Sequence, residues 1–291
     1  LQNGDITTLV RRLLIPTLLG TISMSAMTVI DGMIVGHGVG AVGVAAVNIV
    51  VPIYQLISGL GLMIGAGCSV VVSIHLANAK LKVARLNVTQ AIVAALTVVA
   101  LIVAAMALFL EPVSRMLGAS ETLLPHVIDY TKWLLPGFVF EMFGLIGLFI
   151  IRLDGAPRYA MWCNIVPAVL NALLDYIFVF PCDMGVMGAG VATSLCMSLG
   201  GIMALCYLVM PSHKLHLELP KLSLKSLALS LRNVGYQCWI GISSLLGELS
   251  LAILIFIGNI VFMRYLGDDG VGAFGISCYY RSEERRVGKE C

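Results

Sequence analysis

The strongest constraint on this chain is the length of its apolar runs. A membrane-spanning helix needs about 20 mostly apolar residues. Seven stretches reach that length, near Leu13–His37, Val44–His75, Leu86–Leu110, Leu123–Ile151, Tyr159–Phe180, Val186–Met210 and Val234–Tyr265. No water satisfies a backbone inside a bilayer, and runs of this kind therefore fold as helices that bond internally. Charged residues make up 12% of the chain, about half of the ~25% found in soluble domains. The expected fold class is an all-α membrane protein. Several runs exceed a bare span, which predicts tilt or extension beyond the hydrocarbon.

Lys and Arg mark the orientation. Arg11, Arg12, Lys80, Lys82, Arg85, Arg152, Arg158, Lys214, Lys221, Lys225 and Arg232 fall on one set of loops, and only Arg115, Lys132 and Arg264 on the alternate set. Eleven against three places the N-terminus in the cytoplasm by the positive-inside rule. A missed helix would scramble so regular an alternation. The net charge of +2 argues against a nucleic-acid partner. None of the eight cysteines forms a C-x-x-C pair, and most read as small hydrophobes within spans.

An internal echo divides the chain. Gly38-Val39-Gly40-Ala41-Val42-Gly43 follows the first span, and Gly270-Val271-Gly272-Ala273-Phe274-Gly275 follows the seventh. Transporter folds are commonly built from internal repeats, so a unit of six helices is expected to begin again at the seventh. Residues 1–210 then form a complete N-terminal six-helix lobe, 211–233 a cytoplasmic linker, partly an amphipathic surface helix, and 234–280 the start of a second lobe. The charged run 281–291 matches the translation of a common sequencing-adapter oligonucleotide and is expected to be foreign to the fold. On this reading the chain is truncated after about seven helices.

Carboxylates inside spans are the informative residues. One at the bilayer centre costs roughly 2.5–3.5 kcal/mol on insertion scales, and such residues usually serve function. Asp31, Glu141, Asp175 and Glu248 are the candidates. Helix rise puts Asp31 about 9 Å, and Asp175 and Thr193 each about 12 Å, below the outer ends of their spans. Asn171 lies one turn from Asp175 on the same face. These side chains are expected to form one polar cluster in the outer half of the membrane. Two carboxyls in a low-dielectric site do not both ionise easily and titrate as a unit. The same oxygens could instead hold a hard cation such as Na⁺. Pro16, fifteen residues before Asp31, is a hinge candidate, because an interior proline removes a helix hydrogen bond; a helix-start proline is the alternative.

These residues, in this order, resemble the multidrug and toxic compound extrusion (MATE) family over nearly all of Leu1 to Tyr280. Val29-Ile30-Asp31-Gly32-Met33-Ile34-Val35-Gly36-His37, Asn171-Ala172-Leu173-Leu174-Asp175 and Gly188-Ala189-Gly190-Val191-Ala192-Thr193 carry the resemblance. It implies twelve helices in two six-helix lobes around a V-shaped cavity. It also implies a cation site on Asp31, Asn171, Asp175 and Thr193, a cavity tyrosine at Tyr130, a bending proline at Pro16, and a second-lobe carboxylate at Glu248. Glu141 has no assigned role and is expected either to face the cavity or to pair with a neighbouring helix. The implied activity is export of amphipathic, often cationic compounds in exchange for inward H⁺ or Na⁺, by alternating access. No enzymatic cofactor is implied. The intact protein is expected to be a monomer in the bacterial inner membrane.

Rival readings fit less well. A lipid-linked oligosaccharide or lipid-precursor flippase of the same superfamily tends to line its cavity with Arg or Lys, whereas these spans carry acids. An intramembrane aspartyl protease needs a Gly-x-Gly-Asp element. Leu266-Gly267-Asp268-Asp269 lacks the first glycine and is expected in a loop. A passive channel would not need buried titratable pairs.

Overall fold

The computed structural model describes residues 6–210, 214–218 and 224–288, with side chains over 14–210, 214–218 and 229–278. Its elements are α1 (Ile6–Gly38), α2 (Ala41–Ala77), α3 (Leu81–Leu108), α4 (Leu110–Met116), α5 (Leu124–Leu153), α6 (Pro157–Val179), α7 (Gly185–Val209) and α8 (Leu224–Gly288). Among the described residues seven helices are long and apolar enough to cross a membrane, matching the seven runs. α4, at seven residues, is too short to span. It sits with the turn that follows it, where Arg115 bonds Glu121 (Nη1–Oε1 2.5 Å) and Glu111 (Nε–Oε1 3.0 Å). This pairing holds the exposed Glu121 carboxyl below its ordinary range and raises Arg115 above its own.

Small residues set the packing. In lipid there is no hydrophobic drive between helices, and close backbone approach replaces it. Gly137, Gly144 and Gly147 of α5 meet Ser194, Gly201 and Ala204 of α7. A side chain on Gly201 would collide with the Phe140 carbonyl. α2 is the central helix. Gly61 and Gly65 face Leu145, Ile146 and Phe149 of α5, while Gly67 takes the Gln237 carbonyl of α8 and Gly241 of α8 takes Met63. α1 is held mainly by α6, through Gly20 against Asn164 and Gly38 against Val179.

Two amide pairs fasten α8 to α2 and α3. Asn48 Nδ2 donates to Asn259 Oδ1 at 2.7 Å, and Asn259 Nδ2 returns a bond to the Asn48 carbonyl at 3.1 Å. Gln237 Nε2 donates to Asn87 Oδ1 at 3.1 Å. All four side chains are buried.

Three features add to the sequence-based expectation. α8 begins at Leu224, so the helix of the seventh span starts within the stretch expected to be linker. Residues 214–218 are docked against α3, α7 and the α5–α6 turn. Leu215 N and Tyr207 Oη both donate to the Asp154 carboxylate, at 3.0 and 2.8 Å. Glu218 N donates to Thr89 Oγ1 at 3.0 Å, and Arg85 Nε to the Lys214 carbonyl at 2.8 Å. Finally, Leu266–Asp269, expected in a loop, is a tight kink between two helices. It is the break in α8, where Gly267 adopts φ 68°, a conformation that costs glycine nothing. Asp268 there accepts bonds from Ser120 Oγ (2.8 Å) and Thr122 Oγ1.

Beyond the break, the two copies of the glycine hexapeptide pack on each other. A Cβ on Gly272 would lie 3.0 Å from the Ala41 carbonyl, and one on Gly275 3.1 Å from Asn48. The side chains of 281–291 lie outside the described residues.

Candidate functional site

The site is assembled from three helices. α1 carries Asp31 seven residues before its end at Gly38. α6 carries Asn171 and Asp175 one turn apart, both with 0% exposure. α7 contributes Thr193, also buried, and Asn171 Nδ2 donates to its hydroxyl at 3.5 Å. The carboxyl groups of Asp31 and Asp175 lie against each other. The four residues selected by span depth therefore do form one cluster.

Its chemistry follows from what is missing around it. Asp31 Oδ1, Asn171 Oδ1 and both carboxyl oxygens of Asp175 are buried and accept no hydrogen bond. Buried polar atoms are normally partnered, and leaving a charged one bare costs much more than a neutral one. Among the described residues no Lys or Arg forms an ion pair with either aspartate. Such a set is completed by a proton shared between the carboxyls, or by a small hard cation that prefers oxygen donors. It does not suit a transition metal, since no group of three or more His, Cys, Asp or Glu stands together among the described residues.

The cluster opens onto a cavity of about 190 Å³. Asp31 and Thr193 form part of its wall, while Asn171 and Asp175 sit behind them. Met24, Met27 and Thr28 of α1, Tyr130 of α5 and Met197 of α7 share the wall, as do Asn48, Tyr54 and Gln55 of α2. Tyr130 is buried at this wall. The α2 residues were missed by sequence reasoning, although three polar side chains within eight residues of an apolar span were a usable signal. A larger cleft of about 310 Å³ opens by Val29, Met33, His37 and Ile276. It bears no carboxylate and offers no comparable chemistry.

The remaining candidates stand apart. Glu248 of α8 packs against Gly59 of α2, and Glu141 of α5 accepts a bond from Ser58 Oγ at 3.2 Å. Neither lines the cavity wall with Asp31. Pro16 lies ten residues into α1 and is therefore interior, not a helix-start proline. Farther along α1, hydroxyls bond back to the preceding turn, Thr21 to Leu18 at 2.9 Å, Ser23 to Leu19 at 2.8 Å and Thr28 to Met24 at 3.1 Å. Such bonds loosen and bend helices.

Known proteins with this arrangement are transporters. The profile of the MatE family matches residues 16–177. The multidrug export protein MepA of Staphylococcus saprophyticus is 24% identical over 90% of this chain and 57% of its own length. An FAD transporter of Shewanella oneidensis is 24% identical over 62% of this chain and 40% of its own. Among solved structures, the MATE multidrug transporter DinF-BH superposes with a TM-score of 0.81 at 29% identity, covering 96% of this chain and 61% of that one. The chain thus spans little more than half the length of the MepA relative. With the matched profile running from within α1 to within α6 and the same helical arrangement in a solved member, the chain belongs to the MatE family, whose members are transporters and not enzymes.

Proposed function

We propose that the intact protein is a secondary active antiporter. It exports small amphipathic, often cationic compounds and admits H⁺ or Na⁺ in exchange, by alternating access. The reading is carried by the four unpartnered, buried oxygens of Asp31, Asn171 and Asp175 beside a cavity of tyrosine, methionine and amide side chains. Asp31 is the one charged side chain in that wall among the described residues, which favours cationic substrates and disfavours a flippase for pyrophosphate-linked lipids. Adaptable methionine suits a site that accepts varied apolar bodies.

The coupling site comprises Asp31, Asn171, Asp175 and Thr193, and the coupling ion competes with substrate for the charge of Asp31. Bending of α1 at Pro16 moves Asp31 relative to α6. Residues 1–210 act as one lobe, joined by the 211–233 connection to a second lobe that begins in α8. The protein works as a monomer in the inner membrane with its N-terminus in the cytoplasm.

The test is dye efflux from everted vesicles carrying the intact transporter. Asp31→Asn and Asp175→Asn should each abolish ion-driven efflux of a fluorescent cation while membrane insertion is kept. Undiminished efflux in both variants removes the cluster from the mechanism.

A further inference from the structure

Glu141 is a half-buried acid, its Oε2 closed off from solvent, that the proposed coupling site does not use. It lies seventeen residues into α5, about 26 Å from the start of that helix. Asp31 is about 10 Å from the corresponding end of α1 on the same rise. Glu141 therefore lies about 15 Å deeper than the Asp31 cluster, toward the opposite side of the membrane. Its Oε1 accepts the Ser58 hydroxyl at 3.2 Å. Its Oε2 is buried and has no hydrogen-bond partner.

Tyr54 links this acid to the cavity. One turn before Ser58 on α2, it interacts through its hydroxyl with the Glu141 carboxyl and also forms part of the cavity wall with Asp31. Phe138, one turn before Glu141 on α5, holds the Tyr54 ring at a centroid distance of 6.4 Å. The other helices bring no cation near. α7 has no charged residue from Gly185 to Val209, and α3 has none after Arg85. From α8, Glu248 packs against Gly59 of α2 and brings a second acid, not a cation. An ionised Glu141 would thus be uncompensated in a low-dielectric setting, where a bare charge is most costly. Its unpartnered oxygen is shut away from the bulk of any substrate.

We infer that Glu141 is a second proton-binding site of the transporter, exchanging with the cavity through the Tyr54 hydroxyl. In release, the Glu141 carboxyl gives its proton to the Tyr54 oxygen while the Tyr54 O–H passes its own to the cavity. The net change is one proton moved and no bond to substrate formed. The exchange uses different side chains from the Asp31–Asp175 cluster and does not depend on it.

The experiment counts protons released when ethidium binds the purified full-length transporter in weakly buffered detergent solution. Glu141→Gln keeps the size of the side chain and the Ser58 bond, and its melting temperature is read alongside. It should lose a part of the proton release that persists in Asp31→Asn. Tyr54→Phe should slow that same part severalfold without reducing its final amount. A folded Glu141→Gln protein that releases as many protons as the unsubstituted one overturns the site, and an unchanged rate in Tyr54→Phe overturns the route. An Asp31→Asn variant with full release would count against the coupling cluster alone, since the Glu141 portion is measured by its own substitution.

Discussion

Asp31 and Asp175 face each other across the α1–α6 contact, the first in the cavity wall and the second completely buried behind it. One carboxyl of the pair is reachable from the cavity and the other is reached only through it. Thr193 and Asn171 complete the set as neutral donors of oxygen, joined to each other at 3.5 Å.

Neutral members should matter less than the acids. Thr193→Ala removes one hydroxyl from the set and frees Asn171, a loss of about 1 kcal/mol for an ordinary hydrogen bond. The expected effect is an ion affinity roughly fivefold weaker, with efflux retained at raised ion concentration. Ion titration of substrate binding measures it. A loss as complete as that of Asp31→Asn would make Thr193 an equal partner.

The Asn48–Asn259 pair predicts a specific non-additivity. Asn48→Leu or Asn259→Leu alone leaves a buried amide unsatisfied, at about 1–3 kcal/mol. The double substitution removes both polar groups and should cost less than the sum of the singles. Thermal unfolding of the four proteins in detergent reads this directly, and simple additivity would show that the two amides do not depend on each other.

Two glycines on the α5–α7 seam should respond differently. A Cβ at Gly201 collides with the Phe140 carbonyl, whereas one at Gly144 finds its nearest neighbour at 3.7 Å. Gly201→Ala should therefore destabilise by about 1–3 kcal/mol, as overpacking does, while Gly144→Ala stays near neutral. Melting temperatures of the two variants decide the matter.

Asp154 should control the segment between α7 and α8. Its carboxylate takes both the Leu215 amide and the Tyr207 hydroxyl, and bonds to a charged acceptor are worth about 1.5–3 kcal/mol each. Asp154→Ala should raise the rate of protease cleavage between α7 and α8 by about tenfold or more, and Tyr207→Phe by less. Equal cleavage in all three proteins would mean that the docking does not depend on Asp154.

The spans and the cluster were legible in the sequence for one reason. Polar atoms in hydrocarbon are costly, so apolar length marks the helices and an acid inside them marks a site. That logic selected Asp31, Asn171, Asp175 and Thr193 without any knowledge of packing. It could not see Asn48 meeting Asn259, or Asn87 meeting Gln237, because partners so distant in sequence leave no local pattern. The break at Gly267 resembled the end of a span, since the residues after it are Asp268 and Asp269. The Ser120 and Thr122 hydroxyls that Asp268 receives there come from a segment too distant in sequence to leave a local pattern. Docking of Leu215 was hidden for a similar reason, as its binding partner is a loop aspartate with no motif around it.

Under the ion coupling and orientation proposed above, the depth of Asp31 also divides the membrane voltage. It lies seven residues from the end of α1, about 10 Å along the helix, against a hydrocarbon core about 30 Å thick. A cation arriving from that side crosses about a third of the electric field, and about two thirds remains for its exit. A full crossing is worth about 2.3 kcal/mol per charge at 100 mV. Arrival therefore draws roughly 0.8 kcal/mol from the potential and departure roughly 1.5 kcal/mol, so the larger electrical pull acts on the ion after it has been captured by the aspartates.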